Sequence, residues 1–365
     1  HFDGTAGILT AQAGCVLEVL DNWLSERGFV MPLDLGAKGT CQIGGNVATN
    51  AGGLRLLRYG SLHGTVLSME VVKADGTIMN LGQPLRKDNT GYDLKHLFIG
   101  SEGTLGVITN VSILTPRKPT AVNVAVLALP DFSSVQKAFS LARSHLTEIL
   151  SAFEFWDAPC AHLVHTHITH TRPLFDTLHP FHVLVETSGS SPEHDAAKVA
   201  AYLDALFEQG VAVDGVQAES ETQRAGMWAF RESIPEACAR DGKGGNLKYD
   251  ISVPVERIYD IIPAMRARLE ERGLYDPVES AGALREGRVV GFGHFGDGNL
   301  HLNITGAAWD KAVEDAVEPF VYEWVQQHQG SISAEHGLGV MKAPYIGYSK
   351  SPEAIAAMHE VKKMW

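Results

Sequence analysis

The stretch GFGHFGDGNLHLNIT, residues 291–305, sets His294, His301 and Asn303 among glycines, and the later segment SAEHG adds Glu335 and His336. Imidazoles and carboxylates are the usual donors to a divalent metal, and a zinc site that performs chemistry takes three protein ligands and leaves a position open. From Leu300 the chain alternates Leu300, His301, Leu302, Asn303, Ile304, Thr305, the period of a strand with one polar face. If Asp297 and Gly298 form the centre of a two-residue type I′ turn, His294 faces His301 with Cβ atoms roughly 5 Å apart. Asn303 then lies on the same face as His301, with an amide suited to a substrate oxygen. Glu335 is the candidate third ligand and His336 the candidate base, since imidazole titrates near neutral pH. The plainer alternative is an inert, hydrogen-bonded histidine pair in a half-buried sheet.

Gly291, Gly293 and Gly296 also match the G-x-G-x-x-G of a dinucleotide turn. That motif holds a pyrophosphate at the start of a following helix. A strand pattern follows here, so a nicotinamide site is not expected. A better cradle for a large flat or phosphorylated ligand is GTCQIGGNVATNAGGLRLLRYG, with Thr40, Gly44, Gly45, Asn46, Thr49, Asn50, Gly52 and Gly53. Small residues let the backbone approach such a ligand with its N–H groups. Ile43 and Val47 within the stretch argue against a solvated linker. GSEGTLG, from Gly100, is a weaker second example that alone reads as a tight turn. Arg231 and Lys248 are cations of the kinds that bind carboxylates, although a lone arginine is more often a surface ion-pair residue. HLVHTHITH, with His162, His165, His167 and His170, lacks a nearby acidic ligand and is expected to be a solvated helix face.

With 365 residues, 45% of them apolar, the chain is long enough for two cores. Its 30 basic and 43 acidic residues leave a formal charge of −13, which repels nucleic acid and anionic lipid. Cys15, Cys41, Cys160 and Cys238 form no C-x-x-C pair, so neither a disulfide scaffold nor a zinc ribbon is expected. No apolar run approaches the roughly 20 residues of a membrane span. The chain begins at His1 without a basic, apolar leader, so any targeting peptide is expected to lie outside it.

Short β-branched runs alternate with helix-period runs throughout, which marks an α+β or α/β protein. Asp75-Gly76 is a hairpin turn, and Pro116 to Pro119 is the expected boundary after a strand in GVITNVSILTP. Beyond it, a β-α-β-β-α-β succession favours a sheet with helices on one face, with Ser191-Pro192 and Ser351-Pro352 opening helices. The expected organisation is a cofactor domain over 1–118, a substrate domain over 119–329, and a closing segment over 330–365.

Together, PLDLGAKGTCQIGGNVATNAGGLRLLRYG, LRKDNTGYDLKHLFIGSEGTLGVIT, FRESIPEA, LKYDISVPVERIYD, GHFGDGNLHLN and SAEHGLG resemble the FAD-dependent D-2-hydroxyacid dehydrogenases over nearly the whole chain. The resemblance implies an α+β fold: a vanillyl-alcohol oxidase type FAD domain, incomplete at its N-terminus, and an antiparallel-sheet substrate domain covered by helices. It extends the flavin contacts to Gly60, Glu102, Gly106 and Ile108. It implies His294, His301 and Glu335 as ligands of a divalent metal, zinc by expectation, His336 as base and substrate contact, Asn303 as a substrate contact, and Arg231 and Lys248 as carboxylate partners. Pro235 stands where some family members have threonine, so the distal carboxylate rests more on Arg231 and Lys248. The implied reaction oxidises D-2-hydroxyglutarate to 2-oxoglutarate by deprotonating the hydroxyl and passing hydride from C2 to flavin N5. The alternatives are D-lactate, glycolate or another D-2-hydroxy acid, and a non-catalytic metal-binding module. The family also implies an electron-transfer flavoprotein or a 2-oxo acid as electron acceptor and the mitochondrial matrix as location, with the cytoplasm as alternative; a homodimer is a candidate assembly. Family members carry a further flavin subdomain ahead of the segment matching His1 and an Asn-Pro tail after the one matching Trp365.

Overall fold

The computed structural model describes residues 1–241, 245–274, 289–306 and 311–365. They form two compact units, His1–Lys118 with Glu335–Trp365, and Pro119–Ala334. Residues 330–334, grouped from the sequence with the closing segment, belong to the second unit. Ser331 and Ser252 exchange backbone hydrogen bonds of 2.8 and 3.1 Å.

The first unit is built on a 5-stranded antiparallel sheet, in the order β1-β2-β5-β3-β4. Its strands are β1 (Phe2–Asp3), β2 (Ile8–Gln12), β3 (Val66–Val72), β4 (Ile78–Leu81) and β5 (Val107–Leu114). The β3–β4 turn contains Asp75, whose carboxylate accepts from the Thr77 N–H, and Gly76 at φ 84°. Helix Leu17–Ser25 buries Leu17, Leu20 and Leu24 against the sheet, the i, i+3, i+7 stripe of an amphipathic helix. Much of the small-residue stretch is a short helix, Ile43–Ala48, anchored by the fully buried Ile43 and Val47. Those i, i+4 neighbours share one face, and burying each contributes about 1.5–3 kcal/mol. The closing segment is fastened by the Glu102 carboxylate, which accepts 2.8 Å hydrogen bonds from the Leu338 and Gly339 N–H groups. Trp365 packs edge-on against Phe98, with ring centroids 5.4 Å apart.

The second unit is built on a 7-stranded antiparallel sheet, in the order β10-β12-β11-β7-β8-β6-β9. The strands are β6 (Ala121–Leu129), β7 (Leu150–Asp157), β8 (Phe181–Gly189), β9 (Asp214–Gln217), β10 (Gly245–Ser252), β11 (Val289–His294) and β12 (Asn299–Gly306). Helices cover both faces rather than one. Central β7 is buried along its whole length, as a strand enclosed on both sides must be. Phe153 and Phe155 pack against Phe139 and Phe132 of helix Phe132–His145. On the opposite face, Trp156 packs with Cys160 and Val164 of helix Ala158–His167 and with Phe230 of helix Glu221–Glu232. Ser191 precedes the helix Pro192–Glu208, as expected, but its side chain makes no capping hydrogen bond. The Asp195 carboxylate instead accepts from the Ser191 N–H at 3.3 Å. No helix among the described residues is long and apolar enough to cross a membrane.

Candidate active site

Strands β11 and β12 form the expected hairpin, but with a different turn. A 3-10 turn over Phe295–Asp297 and a left-handed Gly298 at φ 79° connect them. His294 therefore pairs with Asn299, and His301 pairs with Phe292. The type I′ register that set His294 directly opposite His301 is thus corrected by two residues. Phe295 accounts for the change: it is fully buried among Phe132, Phe139, Phe153 and Phe155, and this packing pulls the turn inward. Because side chains alternate with a period of two, a two-residue shift keeps both imidazoles on one face. They meet diagonally, ring centroids 5.3 Å apart and planes at 83°, and each offers a ring nitrogen within 4.8 Å of the other's. Gly293 permits this hairpin, since a Cβ there would lie 2.1 Å from the Asn299 carbonyl oxygen.

Each histidine faces a buried carboxylate from a neighbouring strand. Glu154 is the β7 partner of His294, and its Oε1 lies 2.8 Å from His294 Nδ1. An ionised carboxylate only accepts, so Nδ1 carries the hydrogen, and Nε2 is the nitrogen with a lone pair for a metal. Glu154 Oε2 accepts a 2.8 Å hydrogen bond from Arg231 Nη2. Burial works to raise the Glu154 carboxyl, but the charges of His294 and Arg231 outweigh it and hold the group below the ordinary carboxylate range. Asp250 is the β10 partner of His301, its Oδ1 4.0 Å from His301 Nδ1. The same oxygen accepts from Asn299 Nδ2 at 2.8 Å.

Arg231 is 4% exposed. Its guanidinium carbon lies 5.0 Å from the centre of the Phe292 ring, which in turn lies 5.1 Å from the His301 ring. Its Nε makes no hydrogen bond among the described residues. Lys248 is the β10 partner of Asn303 and is exposed, so its ammonium stays solvated on the strand that carries Asp250. The Asn303 side-chain oxygen accepts from Asn246 Nδ2 at 3.4 Å. The backbone carbonyl of Asp250, the strand partner of His301, accepts from the Ala334 N–H at 3.3 Å. Glu335 is peptide-bonded to Ala334, so chain connectivity alone keeps its backbone within a residue of that anchor. His336 is exposed, its Nε2 3.7 Å from Glu335 Oε1.

In the first unit the expected flavin residues divide by environment. The side-chain oxygens of Asn46 and Asn50 are buried and make no hydrogen bond among the described residues. Orphaned polar atoms of this kind fit a bound polar ligand. Asn50 and Glu102 adopt left-handed backbone conformations at φ 49° and 51°. Gly45 and Gly60 have open space where a side chain would project. A Cβ on Gly52 would lie 3.1 Å from Glu335 Oε2, and one on Gly53 2.2 Å from the Asp34 carbonyl oxygen. Gly44 and Gly106 serve packing: a Cβ would meet Ala13 Cβ at 2.4 Å or the Val72 carbonyl oxygen at 2.9 Å. Ile108 belongs to the apolar core. The Thr40 and Thr49 hydroxyls donate to the Ala37 and Gly45 carbonyls, each at 3.2 Å. The Glu102 carboxylate is engaged by the closing segment, and its backbone N–H donates to the Ala48 carbonyl at 2.7 Å.

The histidine-rich tract lies on helix Ala158–His167 and beyond. His162, His165 and His170 are exposed, and His167 Nε2 lies 3.2 Å from Asp241 Oδ1. Glu154 and Asp250 were not singled out from the sequence. Their signal was a carboxylate inside a strand that otherwise reads as buried, SAFEFWD and LKYDISV, because such a group is costly to bury unless paired.

Residues 118–365 match the family of FAD linked oxidases, C-terminal domain, and residues 1–82 match the FAD binding domain. The chain is 53% identical over 363 residues to the mitochondrial D-2-hydroxyglutarate dehydrogenase of Bos taurus, covering 100% of this chain and 64% of that protein. It is 54% identical over 363 residues to its counterpart in Danio rerio, covering 100% and 65%. It is 42% identical over 361 residues to the D-2-hydroxyglutarate–pyruvate transhydrogenase of Saccharomyces cerevisiae, covering 99% and 72%. The chain thus spans 64–65% of the length of the first two. A solved structure of alkyldihydroxyacetonephosphate synthase superposes with a TM-score of 0.69 at 16% identity, covering 100% of this chain and 63% of that one. The fold is accordingly of the vanillyl-alcohol oxidase type.

Proposed function

The chain belongs to the family of FAD-linked oxidases, and from that premise we propose that it oxidises D-2-hydroxyglutarate to 2-oxoglutarate, with FAD as the redox cofactor. One observation carries the reading: two imidazoles on one sheet face, each beside a buried carboxylate, share that face with Asn303 and Lys248. This is a donor set for a cation flanked by groups that recognise an oxygen-rich anion. The two vertebrate relatives, at 53% and 54% identity, carry the corresponding name, whereas a relative from Schizosaccharomyces pombe at 52% is named a putative D-lactate dehydrogenase.

His294 and His301, with Glu335 as third ligand, would hold a divalent ion, zinc by the character of the donors. Bound there, the ion supplies a Lewis acid that makes the substrate hydroxyl easier to deprotonate. FAD supplies the acceptor for the two electrons and the hydrogen leaving C2. The cofactor fits Asn46, Asn50 and the open positions at Gly45 and Gly60. His336 is the base that takes the hydroxyl proton, its exposed imidazole being able to pass the proton on to water. Asn303 donates its amide to a substrate oxygen. Lys248 pairs with the distal carboxylate and Arg231, held in place by Glu154, adds a second positive group; Pro235 has no hydroxyl to contribute. D-lactate and glycolate have no distal carboxylate to offer Lys248 and so forgo that charged hydrogen bond, while Arg231 keeps Glu154 as its partner. The names of the vertebrate relatives favour a mitochondrial location. An electron-transfer flavoprotein is one acceptor class; the yeast relative's name favours a second reading in which a 2-oxo acid takes the electrons.

The test is turnover by the full-length flavoprotein on D-2-hydroxyglutarate, D-lactate and glycolate with an artificial electron acceptor. D-2-hydroxyglutarate should show the highest kcat/KM and give 2-oxoglutarate. A higher value for D-lactate would replace this reading with the monocarboxylate one.

A further inference from the structure

We propose that Glu154 is the positioning residue of the histidine pair: one carboxylate oxygen orients His294 while the other holds Arg231, so that the ion site and the buried arginine are set as one unit. The inference rests on the metal reading above and goes beyond the ligands to the group that aims them.

Three observations carry it. First, the pairing is built into the sheet, because Glu154 and His294 are register partners between β7 and β11 and the backbone ladder fixes both ends of the hydrogen bond. Second, the carboxylate is 2% exposed and both oxygens have donors, His294 Nδ1 and Arg231 Nη2, each at 2.8 Å. A carboxylate on Nδ1 commits the imidazole to one tautomer and makes Nε2 a better donor to a metal. Third, Arg231 also reaches the second histidine through Phe292, the guanidinium lying over that ring and the ring against His301. Glu154 therefore acts on His294 directly and on His301 through the arginine and the phenylalanine.

The competing explanation is that Glu154 only neutralises a buried arginine, since removing one partner of a buried ion pair leaves the other charge uncompensated. Two variants separate the explanations. Glu154→Gln keeps the shape but removes the charge. The double variant Glu154→Gln with Arg231→Met also removes the stranded cation and leaves an unbranched side chain against Phe292. The probe is cobalt(II), titrated into the metal-free protein and followed by its visible ligand-field absorption, with thermal unfolding recorded on each sample.

Positioning predicts that Glu154→Gln binds cobalt about 10- to 100-fold more weakly, with an altered absorption band. The double variant should recover the unfolding midpoint and keep the weakened affinity. Parent-like affinity in either variant would overturn the inference, and recovery in the double variant alone would assign Glu154 to charge neutralisation. If Glu154→Gln does not fold, the double variant decides. Failure of the unsubstituted protein to bind cobalt would remove the metal reading and this inference with it.

Discussion

Two imidazole pairs among the described residues, one in each unit, have ring centroids 5.1 and 5.3 Å apart and differ in what surrounds them. His63 and His96 lie nearly parallel, ring centroids 5.1 Å apart and planes at 16°, with their Nδ1 atoms 2.9 Å from each other. His63 is half-buried and His96 exposed, and the nearest carboxylate, Asp93, lies 3.2 Å from His96 Nε2. Burial and the neighbouring His96 both lower the pKa of His63. His294 and His301 stand nearly perpendicular, with buried Glu154 and Asp250 on their Nδ1 sides. In the first pair the imidazoles turn their Nδ1 nitrogens on each other, and the neighbouring carboxylate is exposed. In the second, buried carboxylates lie on the Nδ1 sides, at 2.8 Å from His294 and 4.0 Å from His301, and a ring nitrogen of each imidazole lies within 4.8 Å of the other's. Proximity of two histidines is therefore a poor sign of an ion site; what lies behind each ring is the better one.

The sharpest way to break that contrast is to remove a ligand. His294→Ala should weaken zinc or cobalt binding about 100- to 1000-fold, one ligand's share of the roughly 10–16 kcal/mol of a tight zinc site. Equilibrium competition with a chelator would measure it, and an unchanged affinity would place the ion elsewhere. A smaller effect is expected from Lys248→Met. Loss of one charged hydrogen bond, about 1.5–3 kcal/mol, should lower kcat/KM for D-2-hydroxyglutarate about 10- to 100-fold and for D-lactate much less. Equal losses on the two substrates would separate Lys248 from the distal carboxylate.

His182 sharpens the comparison from a third side, as a histidine buried with no carboxylate behind it. It stacks on Trp156 with centroids 5.4 Å apart and planes at 7°, and its Nδ1 has no partner among the described residues. Burial, aided by His179 and His165, pushes it from 6.5 down to about 3. Its folded value lies below its unfolded value, so the unfolded chain binds the extra proton as pH falls below 6.5. Stability should thus fall between those two values, by up to about 1.4 kcal/mol per pH unit. His182→Phe should flatten this acid limb in urea unfolding, and a limb of unchanged slope would refute the assignment. The smallest effect belongs to His63→Asn. Breaking a half-exposed pair should cost about 0.5–1 kcal/mol and leave cobalt binding at the parent value; loss of cobalt binding would erase the contrast between the pairs.

The polar face of β12 was legible because alternation at Leu300, His301, Leu302 and Asn303 needs only local geometry. The turn was not, because Asp297-Gly298 looks locally like a two-residue bend and the deciding force is the burial of Phe295 among rings from β7 and helix Phe132–His145. The face shared by the histidines survived that error, since the register moved by an even number of residues. Helices on both sheet faces follow from SAFEFWD, where Phe153 and Phe155 point one way and Trp156 the other. The same strand hid Glu154, whose role depends on pairing with β11 across a long stretch of sequence. Gly44 and Gly106 carry a demand that the sequence does not display, close packing against Ala13 and Val72.

The most direct measurement of the central claim is the visible flavin absorbance of the full-length protein after anaerobic mixing with D-2-hydroxyglutarate, taken before and after chelation and again after the ion is restored. The flavin should bleach in the first sample, stay oxidised in the second and bleach again in the third. Full-speed bleaching of demetallated protein would contradict the account.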